Sequence, residues 1–287
     1  MKLFFSGVSR KLRFLRFSNK GKYILLFLNG FLLSLLVYFY SEDNYEKQLF
    51  HALANNIKAQ TDTLGLSNDV RNDSILVKSL RLVYQLESSR AEVFKDYSVN
   101  GIKAQVIQPV TYDLMTGKQA CGGFSYVLGR LLKELNTNVR FAQMKVDGLF
   151  GGHILIEAET PDGWVVLDPL FDISFRKPNG KLASFADVKG DWNYYKQQLP
   201  PGYVMDYSYD DVQYTNWDKI PIIMPMLRSA LTIAIGKEKA ENFSFRTLFL
   251  SKFNVLFKIT LIIYLFVFYR TVRGFVHQRR KFSRITV

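Results

Sequence analysis

The stretch that decides the reading runs from Gly117 to Asp172: GKQACGGFSYVLGRLLKELNTNVRFAQMKVDGLFGGHILIEAETPDGWVVLDPLFD. It contains Cys121, the only cysteine of the chain, followed by Phe124, Leu128, Leu131, Leu132 and Leu135 at the spacing of one buried helix face. The pattern predicts a helix that begins at Cys121 and ends near Asn136 in the left-handed conformation. Strands are then expected at Val139 to Val146, His153 to Glu159 and Trp164 to Asp168, separated by a glycine-rich turn at Asp147 to Gly152 and by Pro161-Asp162-Gly163. Helices and an antiparallel sheet in separate runs give an α+β fold, with the cysteine on a helix packed against a sheet that carries His153 and Asp168.

A cysteine attacks as the thiolate, and the unpaired amides at a helix N-terminus favour that negative charge. Gly122 and Gly123 leave room for a carbonyl to approach the Cys121 amide, a first oxyanion donor, while plain tolerance at a helix start explains the two glycines equally well. A thiolate of this kind works with an imidazole whose tautomer is fixed by an acceptor. Side chains alternate along strands, so a hairpin with an even loop puts His153 and Asp168 on one face, directly opposite each other if the loop has six residues; an odd loop separates them. Taken singly, a lone cysteine is a small buried hydrophobe and a lone histidine a filler. Their order and spacing turn the balance towards a Cys121, His153, Asp168 site. His51 and His277 lie far from it in sequence, and one cysteine with three scattered histidines has no metal-ligand spacing.

Outward from the site, charge is distributed unevenly. All 25 acidic residues lie between Glu42 and Glu241, where they slightly outnumber the basic ones, and the net charge of +13 comes from the ends. Residues 1–22 and 270–287 are basic tails without an acid. A nucleic-acid binder would carry its basic patch on the folded domain, so no nucleic-acid partner is expected. Tyr23 to Tyr40 is an uncharged run about 27 Å long as a helix, with tyrosines at one end, and is expected to span a membrane and to be retained. Phe253 to Tyr269 is a second expected span, interrupted by Lys258. Two short cationic tails place both termini in the cytoplasm and the central domain outside the cytoplasmic membrane, periplasmic in a Gram-negative cell. If the second run only lies on the membrane surface, the C-terminus is outside instead. A lone cysteine in an oxidising compartment has no disulfide partner in its own chain, which favours a chemical role.

The remaining segments flank this core. Residues 41–100 are expected to hold a helical stalk from Ser41 to Thr61, a loop from Leu64 to Asp73, and an amphipathic helix from Ile75 to Val93 capped by Asp73 or Ser74. Ala104 to Val110 is read as a short strand and Tyr112 to Gln119 as the loop leading into the site. The aromatic run from Trp192 to Trp217 is a groove wall, a lid or ordinary packing, and Ile222 to Gly236, in the segment 221–252, is a packed helix or a membrane-surface element.

Gly117-x-x-x-Cys121-Gly122-Gly123-Phe124, His153-x-x-x-Glu157 and Asp162-Gly163-Trp164-Val165-x-x-Asp168-Pro169 together resemble the transglutaminase-like family of the papain-like cysteine fold. The resemblance implies a catalytic core over residues 101–220, Cys121 as nucleophile, His153 as general base and acid, and Asp168 as its orienting partner. It implies a thioester intermediate, acyl transfer or hydrolysis on peptide or protein amides of the cell envelope, and no cofactor. Gln119 is the nearest polar residue for the family's second oxyanion donor, and Leu170 stands where a smaller polar residue is usual. Two alternatives remain open: a catalytically silent domain that binds or scaffolds an envelope assembly, and acyl transfer to small amines or sugars.

Overall fold

The structure, a computed structural model, describes residues 19–62, 68–97, 99–117 and 120–282. These form an α+β protein in two compact units, one within residues 45–252 and a second made, among the described residues, from 19–44 with 253–282.

In the second unit, helix α1 (Asn19–Asp62) contributes its first half and the last helix of the chain, Lys252–Phe282, contributes nearly all its length. Both carry stretches long and apolar enough to cross a membrane, and only 22% and 11% of these windows are buried, too little for core helices of a soluble domain. The Asn29 amide donates to the Thr271 hydroxyl (2.9 Å) and the Asn254 amide to Asp43 (3.2 Å). Tyr38 meets Phe253 edge-on, and Tyr40 lies by Phe257. Polar pairs inside apolar helix pairs supply attraction that dispersion alone does not.

The larger unit is built on a five-stranded antiparallel sheet, order β4-β3-β2-β1-β5: β1 (Val139–Val146), β2 (Leu149–Thr160), β3 (Gly163–Asp168), β4 (Ile173–Ser174) and β5 (Val212–Gln213). Alternation along the strands divides the core in two. Phe141, Ile154, Ile156, Val165 and Leu167 pack with the helices, and Ala142, Met144, Leu155, Val166 and Ile173 pack with Phe175, Phe185 and the tyrosines 195, 203 and 209. The helical layer comprises the second half of α1, α2 (Asn68–Phe94), α3 (Val110–Thr116) and α4 (Ala120–Glu134). Phe50, Ala54 and Ile57 are buried, so the expected stalk is part of this layer.

Several local expectations are corrected, among them the loop read at Tyr112 to Gln119, of which 112–116 are helical and 118–119 lie outside the described residues. Helix α2 begins at Asn68, so Asp73 and Ser74 lie inside it rather than capping it; burial of Leu76, Leu80 and Val83 anchors the helix, and Val93 is exposed. Of the loop expected at Leu64 to Asp73, residues 64–67 lie outside the described residues and 68–73 are the first turns of α2. The segment read as a strand at Ala104 to Val110 is a π-helical turn (Lys103–Ile107) followed by α3, with Val106 76% exposed and without the strand partner that alternation needs. The glycine-rich turn shrinks to Asp147-Gly148, both with positive φ, the signature of a tight hairpin, and β2 starts at Leu149.

Candidate active site

The first turn of α4 carries Cys121. Its approach is set by Gly117, which ends α3 at φ +59; a Cβ there would lie 2.5 Å from the Glu87 carbonyl oxygen and 2.6 Å from the Ala91 nitrogen. Only glycine allows both the left-handed turn and this close passage past α2. The rest of α4 is fixed by the burial of Phe124, Val127, Leu128, Leu131 and Leu132, and Asn136 follows it at φ +62. Gln119 lies outside the described residues. A side chain at Gly122 would meet nothing within 4 Å, so the surface beside the half-buried thiol is open there.

The β2–β3 hairpin turns through a two-residue loop, Pro161-Asp162, with Thr160 paired to Gly163 and Ile156 to Leu167. His153 and Asp168 therefore share a face but stand diagonally rather than opposite, since the register continues Asp168 towards Leu155. The imidazole bridges the offset: Nε2 lies 2.7 Å from Asp168 Oδ2, both side chains fully buried. A carboxylate accepts only, so Nε2 carries the proton. Asp168 is itself aimed by the Leu170 backbone N–H, which donates to Oδ1 at 3.1 Å. This contact comes from the backbone after Pro169 and does not depend on the side chain at position 170.

Just before His153, Gly151 and Gly152 bulge out of β2: Lys145 pairs with Phe150, the preceding Met144 with His153. Gly151 has φ +97, and a Cβ on Gly152 would lie 2.6 Å from that of Val146. Such bulges re-aim the side chain that follows them.

Past Ile156–Leu167 the β2–β3 ladder stops, and α4 takes its place at Ile154. The Ser125 hydroxyl donates to the Ile154 carbonyl at 2.9 Å, and the Ile154 amide hydrogen-bonds the Cys121 sulfur. Residues 121 and 125 lie one above the other on the helix, so a single strand residue positions both. His153 Nδ1 is buried without a hydrogen-bond partner, and the thiol is the group besides Asp168 whose proximity shifts the imidazole. The imidazole is thus hydrogen-bonded to the carboxylate on one side, and the thiol lies near enough to perturb it electrostatically.

Burial pushes the Cys121 thiol up, but His153 and the Ile154 amide outweigh it, and its pKa is lowered from 9.0. Burial alone would lower His153; the Asp168 charge and hydrogen bond, with the thiol, raise it to about 9. The two shifts favour a thiolate–imidazolium pair.

Sequence reasoning missed Tyr207. Its ring stacks on that of His153 at 4.4 Å and 9°, and its carbonyl accepts from the Tyr203 hydroxyl at 2.9 Å. The aromatic richness of the run was legible, but not which tyrosine reaches the imidazole. The remaining motif residues brace the sheet: buried Glu157 accepts from Arg140 Nε at 2.8 Å, and the guanidinium is sandwiched between Trp164 (4.3 Å) and Tyr214 (4.0 Å). Cavities of ≈ 630 and ≈ 510 Å³ lie by the hairpin tip, lined by Thr160, Asp162 and Lys181, away from the thiol. His51 sits at 3.4 Å from Glu134 and takes no part; the His277 side chain lies outside the described residues. Among the described residues no three His, Cys, Asp or Glu side chains gather as metal ligands. Comparisons with protein-family models, with curated proteins and with solved structures find no significant match.

Proposed function

We propose that the chain is a membrane-anchored, transglutaminase-like cysteine enzyme with a papain-like core, acting on peptide or protein amides outside the cytoplasmic membrane. The observation that carries the reading is the gathering of the Cys121 thiol at a helix N-terminus, open at Gly122, with the imidazole of His153 hydrogen-bonded to Asp168. The Cys121 thiolate attacks the amide carbonyl carbon, and the oxyanion is received by the free amides of the first turn of α4. The proton on His153 Nδ1 passes to the leaving nitrogen as the C–N bond breaks, leaving a thioester on Cys121. An amine or water then gives its proton to Nδ1 and attacks the thioester, and the thiolate is released. Asp168 keeps Nε2–H engaged throughout, which fixes the tautomer and stabilises the imidazolium.

The two exposed apolar helices support membrane anchoring, and the cationic tails support cytoplasmic termini with the 45–252 unit outside. Incubation of the full chain in detergent with envelope peptides and a primary amine, read by mass spectrometry, tests the chemistry. Cross-linking with loss of ammonia identifies an amine acceptor, and hydrolysis identifies water. Neither product, together with Cys121 alkylation no faster than in the denatured chain, would overturn the reading in favour of a binding or scaffold domain.

A further inference from the structure

Helix α7 (Ile223–Ile235, IMPMLRSALTIAI) follows the short helices α5 (Phe185–Gly190) and α6 (Trp192–Tyr195) and has no buried residue. Ile223 is 54% exposed, Met226 68% and Ile233 88%. At 3.6 residues per turn Ile223, Met226, Leu227, Ala230, Ile233 and Ala234 form one continuous stripe, while Arg228, Ser229 and Thr232 gather on the other side. A soluble domain has no reason to keep so apolar a helix in water.

Thirteen residues make a helix about 20 Å long, too short for a hydrocarbon core of about 30 Å. Its one charge is paired, Arg228 to Glu241 at 3.2 Å on α8 (Lys237–Glu241), and Lys237 and Lys239 follow directly, suited to anionic headgroups. Residues 236–251 alone separate it from the final helix, α9 (Lys252–Phe282), whose apolar stretch is long enough to span a membrane. The junction into α7 is strained: Ile222, β-branched, sits at φ +72, ψ −51, a conformation that persists where surroundings hold it.

We propose that α7 lies in the outer membrane–water interface with the Ile223–Met226–Ile233 stripe in the lipid, laying the 45–252 unit on the bilayer. This rests on the membrane reading of α1 and α9.

The test is hydroxyl-radical footprinting of the full, unsubstituted chain, one copy per lipid nanodisc of mixed zwitterionic and anionic phospholipid. Met205, 61% exposed on the same unit, is the water reference, and Tyr264 and Phe268 report on α9. Expected is Met226 oxidation about tenfold slower than that of Met205, as for a side chain about 5–10 Å inside the headgroup boundary. Met226 as reactive as Met205 with Tyr264 and Phe268 protected would overturn the proposal and leave the membrane reading standing. All four reactive would sink both. Protection of Met226 only when several copies share a vesicle would assign the stripe to a second copy and also overturn it.

Discussion

The ring of Tyr207 lies flat on the imidazole of His153, 4.4 Å between centroids and 9° from parallel. One face of the ring is thereby closed to water and its rotation about χ2 is hindered, while Nε2 stays in line for Asp168. An aromatic pair of this kind contributes about 0.5–1.5 kcal/mol beyond its area. Tyr207→Ala should slow Cys121 alkylation at neutral pH by about three- to tenfold, since 1.4 kcal/mol is tenfold. Tyr207→Phe, which keeps the stack, should leave it within twofold. Equal loss in both variants would assign the effect to the hydroxyl instead.

The lowered thiol and the raised imidazole open a pH window for the ion pair. It forms as pH rises through the lowered Cys121 value, and persists until His153 loses its proton near 9. Iodoacetamide labelling of the native chain, followed by mass spectrometry, should therefore already be fast below the usual thiol range. His153→Ala removes the two largest lowering influences and leaves burial, so its labelling profile should move to higher pH than that of a free cysteine. An unmoved profile would remove His153 from the activation of the thiol.

Gly117 allows no side chain. Gly117→Ala adds left-handed strain and drives a methyl into the backbone of α2 at Glu87 and Ala91. The cost should be about 2 kcal/mol or more, a Tm drop of several degrees in detergent melts. Gly122→Ala meets open space and should keep the Tm within a degree or two, while its methyl obstructs the approach to the thiol.

Glu87 on α2 is buried with neither carboxyl oxygen hydrogen-bonded, near buried Asp113 on α3, whose Oδ1 is also unpartnered. Burial first, then the Asp113 charge, raise Glu87 from 4.5 to about 8 against the opposing pull of Arg90; burial raises Asp113 to about 7, with Lys252 opposing. The folded state holds these protons more tightly than the unfolded chain. Their contribution to stability is complete below the unfolded values and is lost as pH rises through about 7 to 8. Glu87→Gln should stabilise the chain at pH 8.5 by on the order of 2 kcal/mol and change little at pH 5. Melting curves that shift equally at both pH values would contradict this.

How much was legible follows from which forces are local. The face of α4, the left-handed Asn136 and the strands β1 to β3 are repeats of apolar residues at fixed periods, and those periods are set by the backbone. The short strand expected at Ala104 to Val110 failed for the same reason in reverse: alternation over so few residues is matched equally by a turn, and no neighbouring strand selects between them. The loop length of the β2–β3 hairpin, which decided whether His153 and Asp168 share a face, could be bounded from parity but not fixed.

By itself the sequence determined the helix that carries Cys121, the strands that carry His153 and Asp168, and two apolar helices with cationic ends. Each follows from side-chain period, charge and length along one segment. Only the tertiary structure decided that the β2–β3 ladder stops at Ile156–Leu167, that α4 fills the gap at Ile154, and that Tyr207, distant in the chain, covers the imidazole. Those are matters of what packs against what, and packing between distant segments is selected by shape and buried area that no local period encodes.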